Sequence, residues 1–259
     1  MSAPVYPMTD VAPTLAAILD IPTPAQSSGE PIAEIVADLS GAQGCAVVAP
    51  DALGMYPWGL WHQAMPFLES LIGRHHVVLQ AVMPTITPVN FTTMITGADQ
   101  SGHGIQTKDQ DIGCETIFEV LAAHGKQGAA VGQEGCTMGD LIGRWAERCG
   151  QIARRAPRYE DDLVADTLLE VAAEATPEFL ITQLVTTDDV FHQFKPSSAQ
   201  VVPYLQAMDA RLNRLVEGLA ELDYAIIILS DHGQHDGDGG GTHGTDCDED
   251  SLVPCTWTK

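Results

Sequence analysis

The stretch YAIIILSDHG, residues 224–233, indicates how this chain folds. It begins with an apolar run rich in β-branched side chains, which is typical of a strand buried on both faces of a sheet. The run ends at a polar pair, Asp231 and His232. Similar runs occur earlier in the chain, at residues 45–49, 76–81, 129–132 and 179–185.

Stretches with helical periodicity lie between these runs. They cover residues 58–72, 116–124, 161–175 and 199–222. Short β-branched runs that alternate with helices are typical of a parallel sheet covered by helices. The sequence therefore predicts one α/β domain over residues 1–259, with a mostly parallel central sheet and helices on both faces.

Polar residues follow several of the predicted strands. In chain order they are Asp51, the segment 84–90, Asp188, and the pair Asp231 and His232. In open α/β sheets, ligands bind outside the carboxyl ends of the strands. We therefore expect these carboxylate, hydroxyl and imidazole groups to meet at one edge of the sheet.

The charge balance excludes several classes of partner. The chain has 35 Asp and Glu against 12 Lys and Arg, a net charge of −23. A nucleic-acid polymer or an anionic membrane surface requires a basic face, and the few basic residues are scattered. The first ten residues, MSAPVYPMTD, lack the basic and apolar regions of a signal peptide, so a cytoplasmic location is expected.

The segment TTDDVFH, residues 186–192, places Asp188 and His192 four residues apart. On a helical turn this spacing brings both side chains to one face, as ligands of a shared metal require. Asp189 is an alternative to Asp188 but lacks the four-residue spacing. Taken alone, the segment is also consistent with a solvated carboxylate beside a lone histidine.

The segment SDHGQHDGDGGGTHGTD, residues 230–246, is too rich in glycine for regular structure. It contains Asp231, His232, His235 and His243. Adjacent Asp and His with a further His across a loop suit zinc or a similar cation. His235 is the alternative to His243 as the third ligand. A solvated acidic loop would explain the aspartates but not three histidines within twelve residues.

The segment MPTITPVNFTTMITG, residues 83–97, places Thr87 before Pro88 at a predicted helix start. Backbone amides at such a position favour anions. A threonine hydroxyl becomes a nucleophile when a metal lowers its pKa. A threonine-rich helix start without a chemical role is the alternative for this segment alone.

Together these motifs resemble the alkaline phosphatase superfamily, and within it the type I phosphodiesterase and nucleotide pyrophosphatase branch. The similar segments are APD ending at Asp51, PTITPVNFTTMITG with HGI, DDVFH, SDHG and GTHGTD. They occur in the family's order from about residue 45 onward. The resemblance implies the alkaline phosphatase-like α/β core, and at this length a minimal cap domain or none.

The resemblance also implies a cofactor, namely two divalent metal ions about 4 Å apart, zinc or alternatively manganese. The implied ligands are Asp51, Asp231, His232 and the Thr87 oxygen for one metal, and Asp188, His192 and His243 for the other. Thr87 would attack phosphorus and form a phosphothreonine that water hydrolyses. Asn90 would donate a hydrogen bond to a non-bridging phosphoryl oxygen.

The implied activity is hydrolysis of a small phosphorylated substrate. The sequence contains neither the Cys-x-Pro-x-Arg segment of formylglycine sulfatases nor the Asp-Ser-Ala pattern of alkaline phosphatases that act on monoesters. A phosphodiesterase is therefore favoured, and a phosphonate hydrolase or a phosphomutase of the same superfamily is the alternative. A domain that binds metal or phosphate without catalysis is the non-enzymatic alternative.

The segment MTDVAPTLAAILDIPTPAQSSGEPI, residues 8–32, resembles one that family members carry near their carboxyl end. We interpret its position here as a circular permutation, and we predict that residues 1–7 run beside residues 256–259. A domain swap within a homodimer is the first alternative. A chance helix is the second.

Overall fold

The β structure consists of ten strands within residues 3–259, the part of the chain that a computed structural model describes. The strands are β1 (Val5–Pro7), β2 (Gly44–Pro50), β3 (His76–Gln80), β4 (Gly128–Gln133), β5 (Ile152–Ala156), β6 (Phe179–Leu184), β7 (Tyr224–Leu229), β8 (His235–Asp236), β9 (Gly241–Thr242) and β10 (Leu252–Thr258).

Eight of these strands form one sheet in the order β1-β3-β10-β7-β2-β6-β4-β5. Strand β10 runs antiparallel to both of its neighbours, and the other pairs in this sheet are parallel. Strands β8 and β9 form a separate antiparallel pair. Each apolar run in the sequence forms a strand of the large sheet, so the predicted α/β fold is confirmed.

Twelve α-helices connect or flank the strands in the described residues. They are α1 (Val11–Ile18), α2 (Ala33–Leu39), α3 (Met55–Trp61), α4 (Pro66–Ile72), α5 (Thr87–Thr96), α6 (Gln100–His103), α7 (Ile117–Ala123), α8 (Gly143–Arg148), α9 (Asp161–Ala175), α10 (Thr186–Phe194), α11 (Val202–Glu221) and α12 (Asp248–Ser251). Short 3-10 segments occur at Met8–Asp10, His62–Ala64 and Ala199–Val201, and a π-helical segment at Met138–Ile142. Across these described residues, no helix combines the length and hydrophobicity that a membrane span requires.

The core has two layers, one on each face of the sheet. In β2, Cys45 and Val47 pack into one layer, whereas Ala46 and Val48 pack into the other. Helices such as α1 and α5 cover the first layer, and α9 and α11 cover the second. Because both faces are covered, the central strands can be apolar at every position, which explains the uninterrupted runs in the sequence.

The helix predicted over residues 58–72 is broken into α3, a 3-10 turn and α4. The break falls at Met65, which precedes Pro66 and has φ −125° and ψ 63°. The proline ring disfavours helical geometry at the preceding residue, and proline is readily accepted at the start of the next helix. The predicted boundary was therefore wrong at a position where the sequence carried the signal.

Both described ends of the chain lie in the same part of the sheet. Strand β1 pairs with β3 through Val5 and Val78, and β10 pairs with the opposite edge of β3 through Pro254 and Val78. The predicted direct neighbourhood of residues 1–7 and 256–259 is thus corrected, because β3 separates them. Residues 1 and 2 lie outside the described residues.

Candidate active site

The predicted site residues lie at the carboxyl edge of the sheet. Asp51 follows β2, Thr87 begins α5 after β3, Asp188 lies in α10 after β6, the pair Asp231 and His232 follows β7, and His243 follows β9. Because neighbouring parallel strands end at the same edge, residues far apart in the chain meet there. The expected gathering of carboxylate, hydroxyl and imidazole groups is therefore observed.

The first ligand group joins Asp51, Asp231 and His232, whose ligand atoms lie within 4.8 Å of one another. His232 Nε2 lies 3.6 Å from Asp51 Oδ1 and 3.2 Å from Asp231 Oδ2. Thr87 Oγ1 lies 3.1 Å from the same nitrogen. The carboxylates and the imidazole are all buried. The structure thus brings together all four residues that the sequence predicted around one metal.

The second ligand group joins Asp188, His232 and His243, again within 4.8 Å. His243 Nε2 lies 3.7 Å from Asp188 Oδ1. His192 flanks this group, with Nε2 3.2 Å from the same oxygen, as the four-residue spacing predicts. The difference from the sequence interpretation is that this group contains His232 in place of His192.

His232 and His243 share one orientation. In each of these two rings Nδ1 faces a backbone carbonyl, which can only accept a hydrogen bond, so the neutral ring carries its hydrogen on Nδ1. The acceptors are Gly233 for His232 at 2.9 Å and Thr85 for His243 at 2.9 Å. Each Nε2 then presents a lone pair to the carboxylates, the arrangement found in histidines that bind metals.

Three carboxylate oxygens are buried and accept no hydrogen bond from the described residues: Asp51 Oδ1, Asp188 Oδ1 and Asp231 Oδ2. Each lies 3.2–3.7 Å from a histidine Nε2. A lone pair that faces a carboxylate at this distance is repelled unless a proton or a cation lies between them. Two ligands of one tetrahedral zinc, bonded at about 2.0–2.1 Å, stand about 3.3 Å apart. The residues present therefore fit divalent cations.

Burial and neighbouring charges shift the pKa values of these groups. Burial raises the pKa of Asp51 well above its usual range, and the negative charges of Asp231 and Asp188 add to this effect. Burial would also raise the pKa of Asp188, but its contact with His192 and the other nearby histidines outweighs that effect and lowers it. Closely spaced carboxylates resist ionising together, so a cation would stabilise their charged forms.

Asp51 is held in place by two residues that the sequence analysis missed. Gln183 Nε2 donates to Asp51 Oδ2 at 2.5 Å, and Thr187 Oγ1 donates to the backbone carbonyl of Asp51 at 2.5 Å. These bonds leave Asp51 Oδ1 directed toward His232. Gln183 is a buried amide near the carboxyl end of a mainly apolar strand, and that position is the signal that could have identified it.

Asn90 does not have the role that the resemblance implied. Its side chain is fully buried. Its Oδ1 accepts from the Val82 amide at 2.7 Å, and its Nδ2 donates to the carbonyls of Val82 at 3.1 Å and Ile86 at 3.4 Å. Both amide hydrogens are thus used within the protein, so neither is free for a phosphoryl oxygen. The prediction is corrected: Asn90 braces the loop that leads to Thr87.

His235 lies in a third cluster, with Cys247 and Asp250. Asp250 Oδ1 accepts from His235 Nδ1 at 2.7 Å, and its Oδ2 accepts from the Thr245 amide at 3.0 Å and the Thr245 hydroxyl at 2.7 Å. These bonds account for the buried carboxylate of Asp250 without a cation. Of the two alternatives, it is His243 and not His235 that faces Asp188.

A cleft of about 210 Å³ opens beside the two ligand groups. Asp51, Thr87 and Asp188 line it, together with two basic residues, Lys108 and Arg158. Lys108 lies in the loop between α6 and α7, and Arg158 follows β5. Neither residue was predicted from the sequence, because the two are distant in the chain and belong to none of the motifs described above.

Comparison with known proteins supports the resemblance. The family model for type I phosphodiesterase / nucleotide pyrophosphatase matches residues 106–249. The chain is 25% identical to venom phosphodiesterase 2 of Crotalus adamanteus over 201 residues, 68% of this chain and 25% of that protein. It is 32% identical to ectonucleotide pyrophosphatase/phosphodiesterase family member 1 of Homo sapiens over 203 residues, 68% of this chain and 22% of that protein.

A solved structure shows the same fold. Phosphonoacetate hydrolase from Sinorhizobium meliloti 1021, in complex with phosphonoformate, aligns with a TM-score of 0.57 at 18% identity, over 76% of this chain and 58% of that one. The match to the curated relatives spans about a quarter of their length. The family model, however, covers more than half of this chain. This chain belongs to the type I phosphodiesterase / nucleotide pyrophosphatase family.

Proposed function

We propose that this chain is a metal-dependent phosphoester hydrolase of the phosphodiesterase or nucleotide pyrophosphatase type that acts through a phosphothreonine intermediate. The observation that carries the proposal is the 3.1 Å contact between Thr87 Oγ1 and His232 Nε2, in a cleft beside two groups of Asp and His. Membership of the family supports the reaction class.

The ligand chemistry supports two divalent cations. Asp51, Asp231 and His232 would hold one, and Asp188 with His243 would hold the other, flanked by His192. Imidazole nitrogen with carboxylate oxygen suits zinc, whereas manganese favours oxygen ligands, so zinc is the proposed metal. When bound, such cations lower the pKa of a coordinated hydroxyl and neutralise charge on phosphoryl oxygens.

Thr87 is the proposed nucleophile. As the first residue of α5, it lines the cleft, while the rest of the helix is anchored in the core. Attack by its Oγ1 forms a bond to phosphorus as the bond to the leaving group breaks, and the hydroxyl proton leaves with the departing oxygen or to solvent. Water then attacks phosphorus, the bond to Oγ1 breaks, and the threonine recovers its proton.

A matched set of variants tests the nucleophile. The zinc-loaded protein is assayed with bis-p-nitrophenyl phosphate beside Thr87→Ala and beside Thr92→Ala, a threonine of the same helix whose hydroxyl donates to the Pro88 carbonyl. Thr87→Ala should lose at least about a thousandfold in kcat, and Thr92→Ala should retain most of it. Acid quenching followed by peptide mass spectrometry should locate the phosphoryl group on Thr87. Equal turnover by Thr87→Ala and the parent protein would reject the assignment.

We also propose that residues 8–32 occupy their place through circular permutation. In support, Leu15 is fully buried in the core layer that contains β3, and the Ser28 amide donates to the Gly97 carbonyl at 2.8 Å. Gly97 has φ +69°, and a side chain there would collide with Ser27. The segment therefore docks closely on the end of the helix that begins with Thr87. Light scattering should show a monomer, and a dimer that exchanges this segment would favour the domain swap.

A further inference from the structure

The cleft beside Thr87 contains a pair of positive charges that the proposed hydrolysis does not use. Lys108 and Arg158 line the same cleft as Thr87 and Asp188. The chain has only 12 Lys and Arg against 35 Asp and Glu, so two basic side chains in one small cleft are a notable concentration of positive charge. They reach the cleft from two separate loops, one between α6 and α7 and one after β5.

A single backbone turn holds both cations. Lys108 Nζ donates to the Gly135 carbonyl, and Arg158 donates to the same carbonyl at 3.3 Å. Gly135 has φ +76°, a conformation that favours glycine and that turns this carbonyl toward the two side chains. The pair is therefore fixed by the loop that follows β4, and the two side chains point to one place.

Both cations keep donors that the protein does not use. The nearest carboxylates are Asp140, 3.3 Å from Lys108, and Asp189, 3.9 Å from Arg158. Neither contact is a two-pronged ion pair, and the side chains of Lys108 and Arg158 are 36% and 43% exposed. An ammonium has three donors and a guanidinium five, so several remain available to a ligand in the cleft.

The position of the pair indicates which part of a substrate it would meet. Arg158 lies 3.9 Å from Asp189, the neighbour in sequence of Asp188, so it lies close to the second ligand group, on the β5 side of the sheet. A phosphoryl group placed for attack by Thr87 would direct one of its substituents toward that side. A neutral substituent would displace the water that hydrogen-bonds to Lys108 and Arg158 and would not replace those hydrogen bonds. Such a substrate is therefore disfavoured.

We propose that Lys108 and Arg158 bind a second acidic group of the substrate, a carboxylate or phosphate close to the phosphoryl group that is cleaved. The proposal rests on the proposed function, since it takes Thr87 as the point of attack. It favours phosphonocarboxylates and phosphoric anhydrides over diesters with two neutral substituents. Guanidinium and ammonium groups bind either acid through charge-assisted hydrogen bonds.

Three probes separate the sources of the acidic group. Phosphonoacetate carries a carboxylate beside its phosphorus, ATP carries further phosphates, and bis-p-nitrophenyl phosphate carries neither. The zinc-loaded protein is compared with Lys108→Gln and Arg158→Gln. The control is Arg154→Gln, which removes one positive charge from an exposed residue of β5 that does not line the cleft.

We expect Lys108→Gln and Arg158→Gln to lose at least about tenfold in kcat/KM with an acidic probe, mainly through KM, and less than about threefold with the diester. The acidic probe with the larger loss identifies the natural acid as carboxylate or phosphate. Arg154→Gln should behave as the parent protein on all probes. Equal losses on all three probes, or no loss on any, would overturn the proposal.

A binding measurement keeps the test independent of turnover. Titration calorimetry with zinc-loaded Thr87→Ala should show that phosphonoacetate or ATP binds. The affinity should fall at least about tenfold when the same protein also carries the Lys108→Gln substitution. Absence of binding by both acids would overturn the proposal. Turnover that survives in Thr87→Ala would instead overturn the nucleophile assignment, so the two failures are distinguishable.

Discussion

The imidazole rings of His232 and His243 stack with their centroids 4.1 Å apart. His232 lies within ligand distance of both groups, although the residues that form them come from four different strand ends. Its Nδ1 faces the Gly233 carbonyl, so Nε2 is the one ring nitrogen that can bind a cation. The two ligand groups are therefore in direct contact through these two rings.

His232→Ala should therefore remove zinc from the first ligand group. We expect the zinc content to fall by about half or more and diesterase activity to fall at least about a hundredfold, because the first group loses its imidazole ligand. The measurement is metal analysis after dialysis. His192→Ala is the comparison: it lies at the edge of the second group, so its zinc content should fall by less. A His232→Ala protein that retains the parent's zinc content would show that His232 is not a metal ligand.

Asn90→Ala should lower the stability of the fold. Any loss of activity should follow from that lower stability. Removal of the amide leaves the buried polar groups of Val82 without partners, which costs about 1–3 kcal/mol. Urea unfolding measures the change, and Asn213→Ala, on an exposed helix surface beside Glu217, is the matched control. A fall in kcat of a hundredfold with unchanged stability would restore the phosphate-binding role that the sequence suggested.

The burial of His103 predicts that the folded protein loses stability in mild acid. Burial lowers its pKa to about 4, and both ring nitrogens are engaged, one with the Thr93 hydroxyl at 3.2 Å and one with the Ile105 amide at 3.1 Å. The unfolded chain takes up a proton near its ordinary pKa of about 6.5, before the folded protein does. The stabilising contribution is therefore complete above pH 6.5 and is lost as the pH falls toward 4, by up to about 3 kcal/mol.

Urea unfolding at pH 7 and at pH 4.5 measures this effect. His103→Gln keeps a buried hydrogen-bonding side chain but cannot titrate, so its stability should change less between the two pH values. His76→Gln, at an exposed histidine, should follow the parent protein. Identical pH dependence in His103→Gln and the parent protein would contradict the prediction.

A rearranged chain tests the permutation. The beginning of β1 and the end of β10 lie on opposite sides of the beginning of β3, so a short linker can join residues 3 and 259 around the end of one strand, about 10 Å across. New ends placed at Gly41, an exposed turn residue with φ +81°, would restore the order of segments seen in the family. We expect this variant to fold, to bind zinc and to retain diesterase activity within about tenfold. An insoluble or unfolded product would argue against the permutation.

The sequence predicted the central strands because burial on both faces requires apolar residues at every position. It did not predict β5, whose Arg154 and Arg155 are exposed at the edge of the sheet. Nor did it predict β10, which contains Pro254 and lies between two strands of opposite direction. Edge strands and antiparallel insertions lack the apolar signature, since part of their surface faces solvent or carries a turn-like residue.

The site was predictable as far as it depends on short-range spacing. Asp188 and His192 are one helical turn apart, and Asp231 and His232 are adjacent, so sequence pattern suffices. The position of His232 between the two ligand groups and the two cations of the cleft depend on how distant loops pack, which no local pattern records. The cytoplasmic location stays a prediction.

The net charge of −23 has a consequence for how this protein meets its substrate. An anionic substrate must approach against the field of the whole molecule before it reaches the basic side chains within the cleft. Added salt shortens the reach of that field, to about 10 Å at 0.1 M ionic strength, but weakens buried contacts much less. The association of the protein with an anionic substrate should therefore become faster as ionic strength rises. An enzyme whose field attracts anions from a distance shows the opposite dependence on salt.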